Sequence, residues 1–196
     1  MIHVDPVPEP AAFDADVRQV GNAWLGKHPT GQPPSLWRDF SAALAEGFHD
    51  LCGYGAMYEP RGTIDHFISI KEARCLAYEW NNYRYASQWI NSSKQQGRSG
   101  ACRVLDPYEV QHDWFEVLLP SLQMTVTDRI PSDLRARAEY TLDRLHLRDD
   151  ERILRQRQHW MKEYEKTGDI GILERNAPLL ARAVLKRQRP ATPAGR

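Results

Sequence analysis

No apolar run in the 196-residue chain approaches the roughly 18 residues that a membrane span needs, so a membrane protein is not expected. The opening MIHVDPVPEP has neither the basic start nor the apolar stretch of a secretory signal, and the expected location is cytoplasmic. Cysteine is scarce: Cys52, Cys75 and Cys102 are an odd number at spacings of 23 and 27. That suits neither a disulfide framework nor a Cys-x-x-Cys zinc knuckle, so three partly buried free thiols are expected. There is no internal repeat. Charge of either sign is also lacking in sum, 26 Lys and Arg against 26 Asp and Glu, which argues against a protein that coats nucleic acid.

The balance is uneven along the chain. Net charge is −4 over residues 1–61, +3 over 62–105, −4 over 106–127 and +4 over 128–189. The second of these segments is one that a phosphate backbone can approach. With 41% hydrophobic and 27% charged residues, the composition is that of one globular domain with a sizeable core.

Residues 1–34, with six prolines, read as an extended surface arm anchored by Trp24 and Leu25. Ser35 is placed to cap a helix with Leu36, Phe40, Leu44 and Phe48 on one face, ending near Leu51. Tyr54–Tyr58 and Thr63–Ile68, separated by Pro60-Arg61-Gly62, read as a hairpin. Residues 77–94 lack Gly and Pro and read as loop, then helix, with Tyr78, Tyr85, Trp89 and Ile90 at helical intervals. QQGRSG (95–100) is a loop, and Trp114–Thr127 supplies two strands across Pro120. Helices are expected after Ser132, after Asp149 or Asp150, and over Pro178–Gln188; the tail 190–196 is expected to be disordered. The expected class is α+β: a core over 35–127, then a helical region over 128–189.

Hydrolysis of a phosphodiester needs a base to activate water, a hard cation on the phosphate, and donors for the developing charge. Asp65 and His66 are consecutive on a strand, so their side chains diverge, and one can face a metal while the other faces water. Asn82 follows His66 by 16 residues and Asn91 by 25, late in the next helix; Lys94 is three beyond Asn91 and can meet a phosphate. His49, His112, His146 and His159 lack such partners. Trp80 and Trp89 can stack on bases, though core packing is favoured. The basic end of the last helix, Lys186 to Arg189, is read as a solvated terminus.

Together, Gly62-Thr63-Ile64-Asp65-His66-Phe67, Tyr78-Glu79-Trp80-Asn81-Asn82-Tyr83 and Ile90-Asn91-Ser92-Ser93-Lys94 resemble the HNH endonuclease motif, in the Asp-His, Asn, Asn-x-x-Lys form found in RNA-guided CRISPR nucleases. Leu51-Cys52-Gly53-Tyr54, Ala77-Tyr78-Glu79-Trp80 and Leu105-Asp106-Pro107 look like the HNH subunits of Septu-type anti-phage systems, which accompany an ATPase. The resemblance implies a ββα-metal hairpin and helix, with His66 as general base, Asp65 and Asn91 as ligands of Mg²⁺ or Mn²⁺, and Asn82 as holder of the His loop. It also implies contact of Arg84 and Lys94 with nucleic acid, DNA rather than RNA, and a possible ATPase partner. Many relatives carry two Cys-x-x-Cys pairs for a structural zinc. Here the positions are Cys52, Gly55, Ser87 and Ile90, so no structural zinc is expected, and Tyr54, Tyr85, Trp89 and Ile90 are expected to fill the space. The alternative is an inactive HNH-like adaptor that binds nucleic acid or docks on an ATPase.

Overall fold

Two short antiparallel strands and the helix that follows them hold the middle of the chain together. In a computed structural model, which describes residues 1–95 and 103–188, β1 (Thr63–His66) pairs with β2 (Tyr83–Ala86), and α3 (Gln88–Gln95) follows directly. The register sets Asp65 opposite Arg84 and His66 opposite Tyr83. Every residue of β2 is buried. Gly62 enters β1 beneath the Tyr85 ring, where an added Cβ would stand 2.4 Å from ring carbon; only glycine permits that approach.

This pairing corrects the expected hairpin. Residues 54–58 are not the partner strand: they form a turn closed by Cys52 N–H to Met57 O (2.9 Å) and Ala56 N–H to Cys52 O (2.8 Å). The expected long helix within 77–94 divides into β2 and α3. Tyr83 and Tyr85 alternate with period two, as a strand requires. The interval from Tyr85 to Trp89 imitates a helix by coincidence.

The N-terminal stretch is also more ordered than an arm. Met1, Ile2, Val4 and Val7 are buried, and Val4 N–H donates to Pro107 O at 3.0 Å. A π-helical turn, Asp14–Gln19, then runs into α1 (Val20–Lys27). The prolines fall at 6, 8, 10, 29, 33 and 34, which leaves residues 11–28 free to coil. Phe13 is the anchor, edge-on to Phe40, Trp80 and Tyr83 at 5.2, 5.1 and 5.8 Å. Trp24 is half-buried and stacks on His28. Ser35 makes no capping bond; Leu36–Phe40 is a 3-10 turn before α2 (Ser41–Gly47).

The last third follows expectation more closely. β3 (Phe115–Val117) pairs with β4 (Met124–Val126) across Pro120, and α4 (Ser132–Arg144) follows Pro131. Asp150 caps α5 (Glu151–Thr167) by accepting from Arg152 N–H at 2.9 Å, and Gly168 ends it at φ 70°. A short helix not expected from sequence, α6 (Ile170–Asn176), buries only Leu173 and precedes α7 (Pro178–Gln188). The fold class is α+β, and one buried cluster runs from Met1 to Val184 without a break at residue 127. Among the described residues no helix is long and apolar enough to cross a membrane. The expected tail, Cys102, Arg189 and all but the first residue of the 95–100 loop lie outside the described residues.

Candidate functional site

Alternation along β1 turns Asp65 inward, to 1% exposure, where an ionised carboxylate needs partners. It has two. Tyr54 Oη donates to Oδ2 at 2.6 Å, and Lys94 Nζ, from the last turn of α3, donates to Oδ1 at 2.9 Å. Lys94 Nζ also donates to His66 O at 2.7 Å, which ties the end of α3 to the end of β1. Burial and the Asp65 charge hold the Tyr54 phenol well above its ordinary pKa, so it remains a donor. The Lys94 side chain is only 10% exposed, so the ammonium expected on a phosphate is here turned inward. It is the internal counter-ion of Asp65.

His66 projects the other way, between Trp37 and Tyr83, both edge-on with ring centroids 4.6 and 4.9 Å away. Its Nε2 lies 2.9 Å from Ala77 O. A carbonyl only accepts, so Nε2 carries the proton, and in the neutral ring the lone pair is on Nδ1. Burial holds the imidazole below its ordinary pKa, against the smaller upward pull of the Ala77 hydrogen bond and the Asp65 charge. At neutral pH the ring is therefore uncharged, with one nitrogen able to take a proton. It lines a cleft of about 550 Å³ with Asp65, Pro33, Ser69, Lys71 and Arg74.

Asn82 closes the loop between these groups. Its Oδ1 accepts from Ile68 N–H at 2.8 Å, and its Nδ2 donates to Ile68 O at 2.9 Å and Leu76 O at 3.1 Å. Its backbone carbonyl accepts from Phe67 N–H at 2.8 Å. Both ends of the 67–77 loop are thus pinned to one side chain, and Ala77, whose carbonyl aims His66, sits at the far end. Asn91 is the fourth residue of α3 rather than late in it, and its Nδ2 donates to Thr63 Oγ1 at 3.1 Å and Ile64 O at 3.3 Å. The helix is thereby fixed across β1 beside Asp65.

Arg84 does not face solvent. Its Nε and Nη2 form a fork with Asp106 Oδ1 and Oδ2, both at 2.5 Å, and Nη1 donates to Asn81 O and Tyr83 O. At 4% exposure, with Tyr108 stacked 3.5 Å from its guanidinium carbon and four of its five N–H donors bonded, it locks β2 to the Leu105-Asp106-Pro107 turn instead of facing outward as expected. Sequence reasoning missed Trp37, Lys71 and the bond from Tyr54. Lys71 is an exposed cation on the His66 cleft, and its only signal was its place in the loop after the Asp-His pair. Arg74 faces the same cleft but donates to Gly31 O and His28 O, strapping down the turn after α1.

The four positions assigned to a zinc by resemblance meet in space. Cys52 Sγ accepts from Gly55 N–H and Ser87 N–H, both at 3.3 Å, and a Cβ on Gly55 would stand 3.3 Å from Ile90 Cδ1 and 3.5 Å from Cys52 Sγ. Burial pushes the Cys52 thiol up, so the sulfur stays protonated and packs as an apolar atom. Ile90 fills this space as expected; Tyr54 turns to Asp65, Tyr85 bonds Glu59 O, and Trp89 is only half-buried. Cys75 is exposed rather than partly buried. Among the described residues no group of three or more His, Cys, Asp and Glu gathers as a metal site. Comparison of the sequence with family models and with curated proteins gives no match.

Proposed function

We propose that this chain is a metal-dependent endonuclease of the HNH, ββα-metal class, hydrolysing phosphodiester bonds of nucleic acid, DNA in the first instance. One observation carries the reading: β1, its loop, β2 and α3 bring Asp65, His66, Asn82, Asn91 and Lys94 together in the order and spacing of the motif. The convergence of Cys52, Gly55, Ser87 and Ile90 supports the same alignment, because those four positions follow from the family pattern alone.

The donor set fits a hard cation. The Asp65 carboxylate and the Asn91 carboxamide are oxygen-bearing groups of the type Mg²⁺ and Mn²⁺ take, and these ions need few protein ligands because they keep several waters. The place beside Asp65 Oδ1 and His66 O already accommodates positive charge, that of Lys94. A bound divalent ion supplies charge stabilisation at the phosphate and the leaving oxygen. The chain's own residues do the rest. His66 Nδ1 accepts a proton from the attacking water, the Ala77 carbonyl keeps Nε2–H in place, and Asn82 holds the loop that carries Ala77. Were Asp65 and Asn91 to hold such an ion, the Lys94 ammonium would be released from Asp65 and could meet a phosphate.

By the same resemblance the enzyme works in anti-phage defence beside an ATPase that restrains it. The adaptor reading draws on one observation, that Lys94 neutralises Asp65 internally and so satisfies the carboxylate with no metal. One experiment separates the two: purified protein with plasmid, linear DNA and RNA, with and without Mg²⁺ or Mn²⁺, beside its His66→Ala variant. Cleavage that needs both the metal and His66 supports the enzyme. Equal cleavage by the variant, or none by either protein under any metal, sinks it.

A further inference from the structure

A second cleft, of about 640 Å³, lies on the opposite side of α3. At about 100° per residue, Ile90, Asn91 and Lys94 share one face of this helix, and Gln88, Trp89, Ser92 and Ser93 share the other. The second face forms one wall of the cleft, and the ends of α4 and α5 form the other, with Arg144 and Arg152. Arg61, which is exposed, stands on the rim.

Arg144 is the unusual member. Its Nε and Nη2 are shut off from water, yet neither has a hydrogen-bond partner among the described residues. Arg84 is satisfied by Asp106 and Arg157 by the carbonyls of Leu122, Leu147 and Arg148, and Arg74, whose Nε also lacks a partner, is held through Nη1 and Nη2 by the carbonyls of Gly31 and His28. A guanidinium partly stripped of water and left without a counter-charge is costly, and an anion in the cleft removes that cost. The surroundings suit an anion. Arg152 lies over the Trp89 ring at 4.5 Å, held there by Asp150, and the cleft lining sets Arg61, Arg144 and Arg152 against one carboxylate, Glu59.

We propose that Arg144, with Arg61 and Arg152, forms a phosphate subsite that grips the nucleic-acid backbone on the far side of α3 from Asp65. The identity of the ligand rests on the nuclease reading. A helix with its side chains is about 10–12 Å across, and one strand advances about 3.4 Å per nucleotide, so a backbone cut at the Asp65 site reaches the cleft within roughly three or four nucleotides. The guanidinium fork matches phosphate oxygens in pairs, which a lysine does not.

The test is binding of a fluorescein-labelled DNA duplex to the His66→Ala protein in EDTA, read by anisotropy from 50 to 200 mM salt, with Arg144→Gln added. The expected result is about tenfold weaker binding and a slope of log K against log salt shallower by about 0.9, one phosphate contact. The melting temperature is expected to hold or rise, since an unsatisfied buried cation is removed. Arg61→Gln, on the exposed rim, is expected to flatten the slope by a similar amount, and Arg144→Lys to recover part of the affinity. Unchanged binding and slope in both glutamine variants overturn the subsite. So does a melting temperature several degrees lower for Arg144→Gln, which makes the arginine structural. If the duplex does not bind while poly-glutamate binds and loses affinity with Arg144→Gln, the cleft serves an acidic protein segment and the proposal is wrong. The two readings fail separately. Metal-dependent cleavage by the parent with no effect of Arg144→Gln on binding removes only the subsite; a flattened slope with no cleavage under any metal removes only the nuclease.

Discussion

The turn at 52–55 and helix α3 each contribute to two clusters, and the clusters are built on opposite terms. Around Asp65, Tyr54 and Lys94 meet a carboxylate through two charge-assisted hydrogen bonds, in a place where any missing partner leaves a buried charge exposed to nothing. Around Cys52, a sulfur, a glycine and an isoleucine pack together, with two backbone N–H groups resting on the sulfur. One cluster depends on the identity of every atom; the other depends on volume. The same pair of elements can therefore hold its geometry with no metal-type ligand set at Cys52, while the residues at Asp65 have few substitutes.

The largest effect expected from this contrast is on catalysis. His66→Ala should lower metal-dependent cleavage by roughly 10²–10⁴-fold, the usual worth of a positioned base, with DNA binding in EDTA unchanged. Cys52→Ala, in the same assay, should cleave at close to the parent rate. A comparable loss in both proteins would mean that the two clusters act as one structural unit, and the contrast would collapse.

Next comes Asn82→Ala, which touches no reacting atom but unpins both ends of the 67–77 loop. A misplacement of about 1 Å at the base costs on the order of 10²-fold, so kcat should fall by about that factor. Amide exchange at Ile68 should quicken at the same time, because that N–H loses its acceptor. Slower cleavage without faster exchange at Ile68 would show that Asn82 acts on the chemistry and not through the loop.

What the sequence made legible follows from where its information sits. Asp65 and His66 stand out because a polar pair interrupts a β-branched strand, and Asp150 and the α5 boundary because a capping residue precedes an amphipathic run. The β1 partner was hidden: Tyr78, Tyr85 and Trp89 share a helical interval, and only tertiary pairing with Thr63–His66 selects the strand for residues 83–86. Arg84 and Lys94 looked like surface cations because their neutralising groups, Asp106 and Asp65, are 22 and 29 residues away. Pattern along the chain reveals faces and ends. It does not reveal which buried carboxylate a given cation will find.

A smaller and sharper effect is expected at Lys94. If its ammonium holds the place that a divalent ion enters, Lys94→Met should bind Mn²⁺ more tightly than the parent, by about tenfold, since a hydrogen bond to a charged group contributes about 1.5–3 kcal/mol. Titration calorimetry measures this without reference to cleavage. The metal-free variant should also be less stable, because Asp65 loses its counter-ion, and Mn²⁺ should restore part of that stability. Equal or weaker Mn²⁺ binding would make Lys94 a structural partner only.

The smallest effect is at Cys52, and it fixes the other side of the contrast. Cys52→Ala removes a buried atom and the acceptor of two N–H bonds, but sulfur accepts weakly, so the loss of stability should be about 1–2 kcal/mol by chemical denaturation. Elemental analysis of the parent should find no stoichiometric zinc, since Cys52 is the sole ligand-type side chain of the four. Burial also makes the site pH-sensitive in a defined direction. The folded thiol titrates above its ordinary 9.0, so as pH rises past 9 the unfolded chain gives up this proton first and the fold loses stability. Cys52→Ala should flatten the early part of that decline and leave the later part, from buried phenols such as Tyr54, in place. Alkylation gives an independent reading, because the thiolate is the nucleophile. Iodoacetamide followed by peptide mass analysis should label exposed Cys75 in the native protein and Cys52 only after denaturant is added. Native labelling of Cys52 at the rate of Cys75 would mean that the sulfur is open to solvent, and that the cluster is held by something other than close packing.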